Sequence, residues 1–148
     1  MVTIKTGNLL DAQETIIGHQ VNCFGAAAGL AAAIFRKFPH ARKDYSDYTQ
    51  RIPAKTLFGM AGFTGCQKGH IICNLFGQYE PGAAYNPKKL EQALNQLGNF
   101  ARAMNYSAAL PWKLSCGICG GDWDEVQQII ERTMHDVDCV IYRREGDE

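Results

Sequence analysis

Two stretches of small residues invite close approach of a ligand to the main chain: Asn22-Cys-Phe-Gly-Ala-Ala-Ala-Gly29 and Ser115-Cys-Gly-Ile-Cys-Gly-Gly121. Neither contains a long charged side chain. Their chemistry would be that of backbone N–H groups, because a helix beginning just after such a loop aims unpaired amides at an anion. Facing one another, two such loops could grip a diphosphate from both sides. Neither the GxxxxGK[ST] arrangement of a nucleotide-triphosphate loop nor a GxGxxG dinucleotide fingerprint occurs in the first loop.

Reactive side chains sit close by in sequence. Asn22 offers an amide that could orient a hydroxyl or an attacking water, or simply cap the end of a strand. Asp122 is the carboxylate nearest the second loop and a candidate base, although Glu125 three residues later makes helix capping the leading reading. His19 could activate water, yet it precedes Asn22 by three residues, and strand alternation sends the two to opposite faces. Cys116 and Cys119 have the spacing of a redox or metal pair. There is no second close CxxC, and His19, His40, His70 and His135 lack zinc-finger spacing, so packed thiols in a tight ligand loop are expected and no metal. Tyr79 and Tyr85 could stack on a base or border a sugar, or form an amphipathic edge of the core. Lys113 could favour phosphate or reach solvent.

The chain has 148 residues, 46% of them hydrophobic, enough for one substantial core. Fifteen basic and fifteen acidic residues cancel. No net field draws the chain toward nucleic acid or an anionic membrane, so neither a nucleic-acid groove nor a membrane partner is expected. The N-terminus shows no basic segment followed by a long apolar run, and with six cysteines in an ordinary core composition the expectation is a reduced, cytoplasmic setting.

Strands are expected over residues 2–6, 15–21, 56–63, 70–76, 107–112 and 137–142. Gly29 opens an Ala- and Leu-rich helix that Pro39 ends, with a short helix over 41–48. Asn86 and Pro87 cap a helix running to Met104, in which Leu90, Ala93, Leu94, Leu97 and Ala101 form one apolar stripe. Asp122 opens the last helix, buried through Val126, Ile129, Ile130 and Thr133. Residues 143–148 form a frayed polar tail. Strands alternating with helices imply a three-layer α/β/α sandwich, and uncertain pairing over 56–76 favours a mixed sheet over a parallel one.

Gly7-Asn-Leu-Leu, His19-Gln-Val-Asn-Cys-Phe-Gly, Gly29-Leu-Ala-Ala-Ala-Ile, Cys73-Asn-Leu-Phe-Gly-Gln78 and Pro111-Trp-Lys-Leu-Ser-Cys-Gly-Ile-Cys-Gly-Gly-Asp-Trp123 together resemble the successive landmarks of a macro domain, covering nearly the whole chain. The resemblance is to the compact branch of ADP-ribose-1''-phosphate phosphatases and enzymes that remove acyl or ADP-ribosyl groups. It implies a single domain over 1–148 that binds ADP-ribose, free or on a protein, at the sheet's C-terminal edge without a cofactor. Asn8 replaces the acid that meets the adenine amino group. Asn22 matches the position near the distal ribose. Gly29 matches the first phosphate-facing loop, and Cys116, Gly117, Ile118, Cys119 and Gly120 match the second. Phe76-Gly-Gln78-Tyr79 has no lysine where one related group carries a nucleophile, which implies hydrolysis by direct water attack with Asn22, Asp122 or His19 assisting, or a binding module without turnover. Tyr79 would border the ligand.

Overall fold

The structure is a computed structural model that describes residues 1–66, 68–117 and 119–147. Six strands form one sheet in the order β1-β6-β5-β2-β4-β3 among these residues. They are β1 (Val2–Thr6), β2 (Ile16–Asn22), β3 (Ala61–Gly65), β4 (Ile71–Gln78), β5 (Ala108–Pro111) and β6 (Cys139–Arg143). Every neighbouring pair is parallel except β3 with β4, so the sheet is mixed.

Helices cover both faces. On one side lie α1 (Gly29–Lys37), α2 (Pro39–Arg51) and α3 (Ala54–Leu57), packed through Ile34, Phe35, Tyr45 and Leu57 onto Ile17, Ile72 and Phe76. On the other lie α4 (Pro87–Met104) and α5 (Trp123–Met134), whose Leu90, Leu94, Leu97, Val126 and Ile130 meet Ile16, Leu75 and Ile141. Adjacent Ile16 and Ile17 are both fully buried in opposite cores, as the two-residue period of a strand dictates for a sheet covered twice. The protein is a three-layer α/β/α sandwich.

The local rules explain most boundaries. Pro39 sits at the first position of α2 and ends α1, and the Asn86 side chain accepts from Lys89 N at 3.0 Å to open α4. Asn105 closes α4 in the left-handed conformation, φ 56°. The strand expected over 56–63 is a correction: α3 occupies its first half and β3 begins only at Ala61. Pro53 starts a helical turn, its carbonyl accepting from Thr56 N and Leu57 N at 2.9 and 3.1 Å, and Gly59 at φ 96° then swings the chain into the sheet. The short helix expected over 41–48 is longer than anticipated, filling residues 39–51. Arg143, expected in the polar tail, pairs with Thr6 as the last residue of β6.

The topology also makes a crevice. β2 and β5 are neighbours, but β2 feeds α1 on one face and β5 feeds α5 on the other. Chains leaving adjacent parallel strands in opposite directions part at the C-terminal edge, and ligands bind at such switch points in open sheets.

Contact between α4 and α5 is close enough that Gly98 tolerates no side chain, since a Cβ there would collide with the Thr133 carbonyl oxygen. Gly98→Ala is therefore expected to cost about 3 kcal/mol despite alanine's better helix propensity. Urea unfolding checks this, and an unchanged or raised midpoint would show that the helices part without strain.

Candidate active site

A cleft of about 400 Å³ opens where β2, β4 and β5 end. Asn22, Gln78 and Pro111 close those strands and line it, together with residues 26–31 of the first loop and α1. Asn22, 6% exposed, organises the first loop. Its Oδ1 accepts from Phe24 N at 2.9 Å and from Ala26 N at 3.4 Å, while its Nδ2 donates to Ala26 O at 2.6 Å. The Tyr45 hydroxyl donates between Asn22 O at 2.8 Å and Oδ1 at 3.0 Å, and burial pushes its pKa up. This knot turns the chain through Gly25 at φ 86° and delivers Ala28 in extended conformation to the start of α1. No side chain caps α1, so the first amides of that helix, at Gly29, Leu30 and Ala31, face the cleft.

The second loop is held differently. Lys113 and Ser115 adopt left-handed backbone, φ 61° and 65°, although both carry a Cβ. Each costs about 1 kcal/mol, so neighbours must impose the conformation. Ser115 Oγ donates to Gln20 Oε1, and Gln20 Nε2 donates to Cys119 Sγ at 3.3 Å. Gly121 N reaches Ser115 O at 3.0 Å, and Tyr85 N binds Cys119 O at 2.9 Å. Gln20 has space because Gly77 lies beside it: a Cβ on Gly77 would sit 2.6 Å from Oε1. The amides of Cys116, Gly120 and Gly121 are spent inside the loop, which leaves Gly117 and Cys119 at the cleft wall. Ile118 lies outside the described residues.

The expected site residues separate accordingly. Asn22, Gly29, Gly117 and Cys119 converge on the cleft. Asn8, Gly29 and Leu30 line an adjoining compartment of about 470 Å³ that shares Gly29, Leu30, Pro111 and Trp112 with the cleft. Cys116 turns away to donate to Leu114 O at 3.3 Å, and burial raises its thiol pKa, opposite to what a thiolate nucleophile needs. Gly120 serves the turn by donating to Gly117 O at 3.0 Å. Tyr79 lies outside the cleft, its ring 5.3 Å from Phe24 and 5.4 Å from Phe58, because alternation along β4 gives the cleft to Gln78 instead.

Neither ionisable candidate reaches the cleft. Exposed Asp122 caps α5, accepting from Asp124 N at 3.0 Å. His19, 1% exposed, points into the α1–α2 layer with its ring 5.2 Å from Phe35. His19 Nε2 donates to Asn74 Oδ1 at 2.6 Å, and burial lowers its pKa from 6.5 to about 4 despite that bond. Gln20 and Gln78 are cleft residues that sequence reasoning missed, whereas Lys113 and Ser115, both named from the sequence, line the cleft. Gln20 had a signal, being two residues before Asn22 on the same strand. Among the described residues, no group of three or more His, Cys, Asp or Glu is placed to hold a metal, and no helix is long and apolar enough to cross a membrane.

A macrodomain from Mycobacterium tuberculosis DarG superimposes with a TM-score of 0.84 at 27% identity, over 96% of this chain and 97% of that one. This is the macrodomain fold. Thermosipho africanus DarTG in complex with ADP-ribose matches with a TM-score of 0.77 at 18% identity, over 96% of this chain and 41% of that one. In sequence, an ADP-ribose 1''-phosphate phosphatase of Lodderomyces elongisporus is 23% identical over 141 residues, 88% of this chain and 87% of the phosphatase. No family model matches the chain.

The macrodomain cleft thus combines an uncapped helix start, a strained second loop and the Asn22 knot, without a carboxylate among its described lining residues. His19 contributes to stability instead. Its folded pKa lies below the unfolded value, so above about pH 6.5 it is neutral in both states and has no effect. As pH falls, the unfolded chain takes up the proton first and stability is lost down to the folded pKa. About 3 kcal/mol should disappear between pH 7 and pH 4. Urea midpoints measured across that range should fall steeply in the native chain and less in His19→Leu; equal slopes would remove His19 as the cause.

Proposed function

We propose that the protein is a single macrodomain, residues 1–148, that binds ADP-ribose and hydrolyses one of its derivatives by direct water attack. The observation that carries this reading is the uncapped start of α1 facing Gly117 and Cys119 across a cleft with no carboxylate among its described lining residues. Such a site stabilises a diphosphate with main-chain dipoles and does not repel it. Lys113 adds the one cationic side chain among those residues, its Nζ 4.6 Å from the Trp112 ring centroid. The relatives named above support the choice of ligand.

Asn22 keeps one Nδ2 hydrogen after its bond to Ala26 O, and that donor can orient a ribose hydroxyl or the attacking water. Gln78 stands at the end of β4 and bears no amine, so no covalent lysine adduct forms there. With Asp122 and His19 turned elsewhere, the ligand's own phosphate oxygens are the nearest acceptors for the water's proton. The bond cleaved is the 1''-phosphate ester, an O-acyl ester or the glycosidic link to a protein side chain, and water gives its hydroxyl to one fragment and its proton to the other. The absence of an ionisable base from the described lining residues favours a second reading, a module that recognises ADP-ribose without turnover. Six free thiols, three of them buried, support a reducing cytoplasmic setting.

Calorimetric titration with ADP-ribose tests the binding step, and incubation with ADP-ribose 1''-phosphate, O-acetyl-ADP-ribose and ADP-ribosylated protein tests turnover. Saturable binding with product from at least one derivative is expected; binding without product selects the second reading, and no binding rejects both. Leu30→Glu places a carboxylate among the α1 amides at a residue 40% exposed. It should weaken ADP-ribose at least about tenfold with little change in Tm, because the cost is repulsion at the ligand and not lost packing.

A further inference from the structure

Trp112, the first residue past β5, lines both the cleft and the compartment beside it. Its backbone N–H donates to Tyr142 O at 3.0 Å, which sets the residue beside the end of β6. Two cations approach the indole, Lys113 Nζ at 4.6 Å from the ring centroid and Arg143 Cζ at 5.5 Å. Arg144, the next residue, lines the adjoining compartment. None of these three takes part in an ion pair among the described residues. Asp147 is the one carboxylate among the described lining residues of the two compartments, so positive charge exceeds negative around Trp112.

An exposed indole face attracts one cation by about 0.5–1 kcal/mol, but a second like charge beside the same ring is repelled by the first. Packing alone therefore gives no reason to gather three. An anion among them removes the repulsion and gains charge-assisted hydrogen bonds, for which the planar guanidinium fork matches a phosphate.

Position along the ligand says which phosphate. On the ADP-ribose reading above, the distal ribose lies at Asn22 and the diphosphate at the open amides of Gly29 and Leu30. The adenosine half then extends the other way, toward Pro111 and Trp112. Lys113 lines the cleft itself and can serve the diphosphate. ADP-ribose carries no further charge, so it leaves Arg143 and Arg144 unmatched.

We propose that Lys113, Arg143 and Arg144 form a subsite for a third phosphate, a monoester on the adenosine ribose, so that the ligand class of this cleft is ADP-ribose phosphorylated at its 2'- or 3'-hydroxyl. The proposal rests on the ADP-ribose reading and extends it from the two phosphates that main-chain amides hold to one that side chains hold.

The test couples a change in the ligand to a change in the protein, with affinities for ADP-ribose and for its 2'- and 3'-monophosphates measured at one ionic strength. The native chain should bind one of the monophosphates at least about tenfold tighter than ADP-ribose, the lower end of what a hydrogen bond between charged groups is worth. Replacing both arginines, Arg143→Gln with Arg144→Gln, should cut that preference below about twofold and leave the affinity for ADP-ribose within about twofold of native. Neither side chain belongs to a core, so Tm should hold. Arg51→Gln, which removes an exposed charge from α2 on one face of the sheet, should keep the full preference. A native chain that binds ADP-ribose and neither monophosphate better, a double variant that keeps the tenfold preference, or an Arg51→Gln variant that loses it equally overturns the subsite while the ADP-ribose reading stands. Failure of the native chain to bind any of the three ligands overturns both.

Discussion

The side chain of Asn22 is the constraint on which the cleft depends. It stands at the last position of β2, where a parallel strand must give way to a helix on one face of the sheet. Its oxygen gathers Phe24 N, Ala26 N and the Tyr45 hydroxyl, and its nitrogen fastens Ala26 O. A buried amide with this many partners is costly to disturb, since every bond lost leaves a group without water to replace it. Tyr45 belongs to α2 and stacks on Phe35 of α1 at 5.2 Å, so the loop's shape is fixed by the packing of an entire layer. The open amides of α1 are thus a product of the core as much as of the loop.

The two helices that follow the loops differ at their starts, and only α1 begins at the cleft. Sequence composition suggested two loops that could grip a diphosphate, with helix capping the leading reading for Asp122; Asp122 caps α5 while Ala28 leaves α1 uncapped. An acidic cap satisfies its helix and adds negative charge near the dipole's positive end. The positive end presented to a ligand is consequently that of α1. The second loop contributes individual amides and rigidity, with Gln20 tying Ser115 and Cys119 back to β2.

Much of this was legible from local rules. The apolar stripe of α4, its Asn86 cap, Pro39 between α1 and α2, and both strand-to-helix loops follow from periodicity and from residues that admit few conformations. α3 was misread because Thr56, Leu57 and Phe58 are good strand formers, and the carbonyl of Pro53 decided the matter. The cleft was harder. Asn22 meets Tyr45 across 23 residues, and Gln20 meets Ser115 across 95, distances at which no pattern in one sequence operates. Alternation alone would send His19 and Asn22 to opposite faces, but the register of β2 shifts between Gln20 and Asn22, and His19 meets Phe35 while Asn22 meets Tyr45 in the same α1–α2 layer; the depth of His19 and its pairing with Asn74 likewise required the tertiary structure.

Left-handed Lys113 and Ser115 show why such long-range contacts matter at this edge. Glycine would occupy either position without strain, and Ser115→Gly would also delete the hydroxyl that holds Gln20. Keeping a side chain at a strained position is favourable only when its contacts exceed the backbone cost of about 1 kcal/mol. For Ser115 the bond to Gln20 meets that condition, and through Gln20 it reaches Cys119 at the cleft wall. For Lys113 the compensation is its ammonium against Trp112, whose ring Arg143 also approaches at 5.5 Å. Both strained residues therefore stiffen the wall by tying it to neighbours that are themselves held in the sheet, which keeps the loop amides preorganised before a ligand arrives.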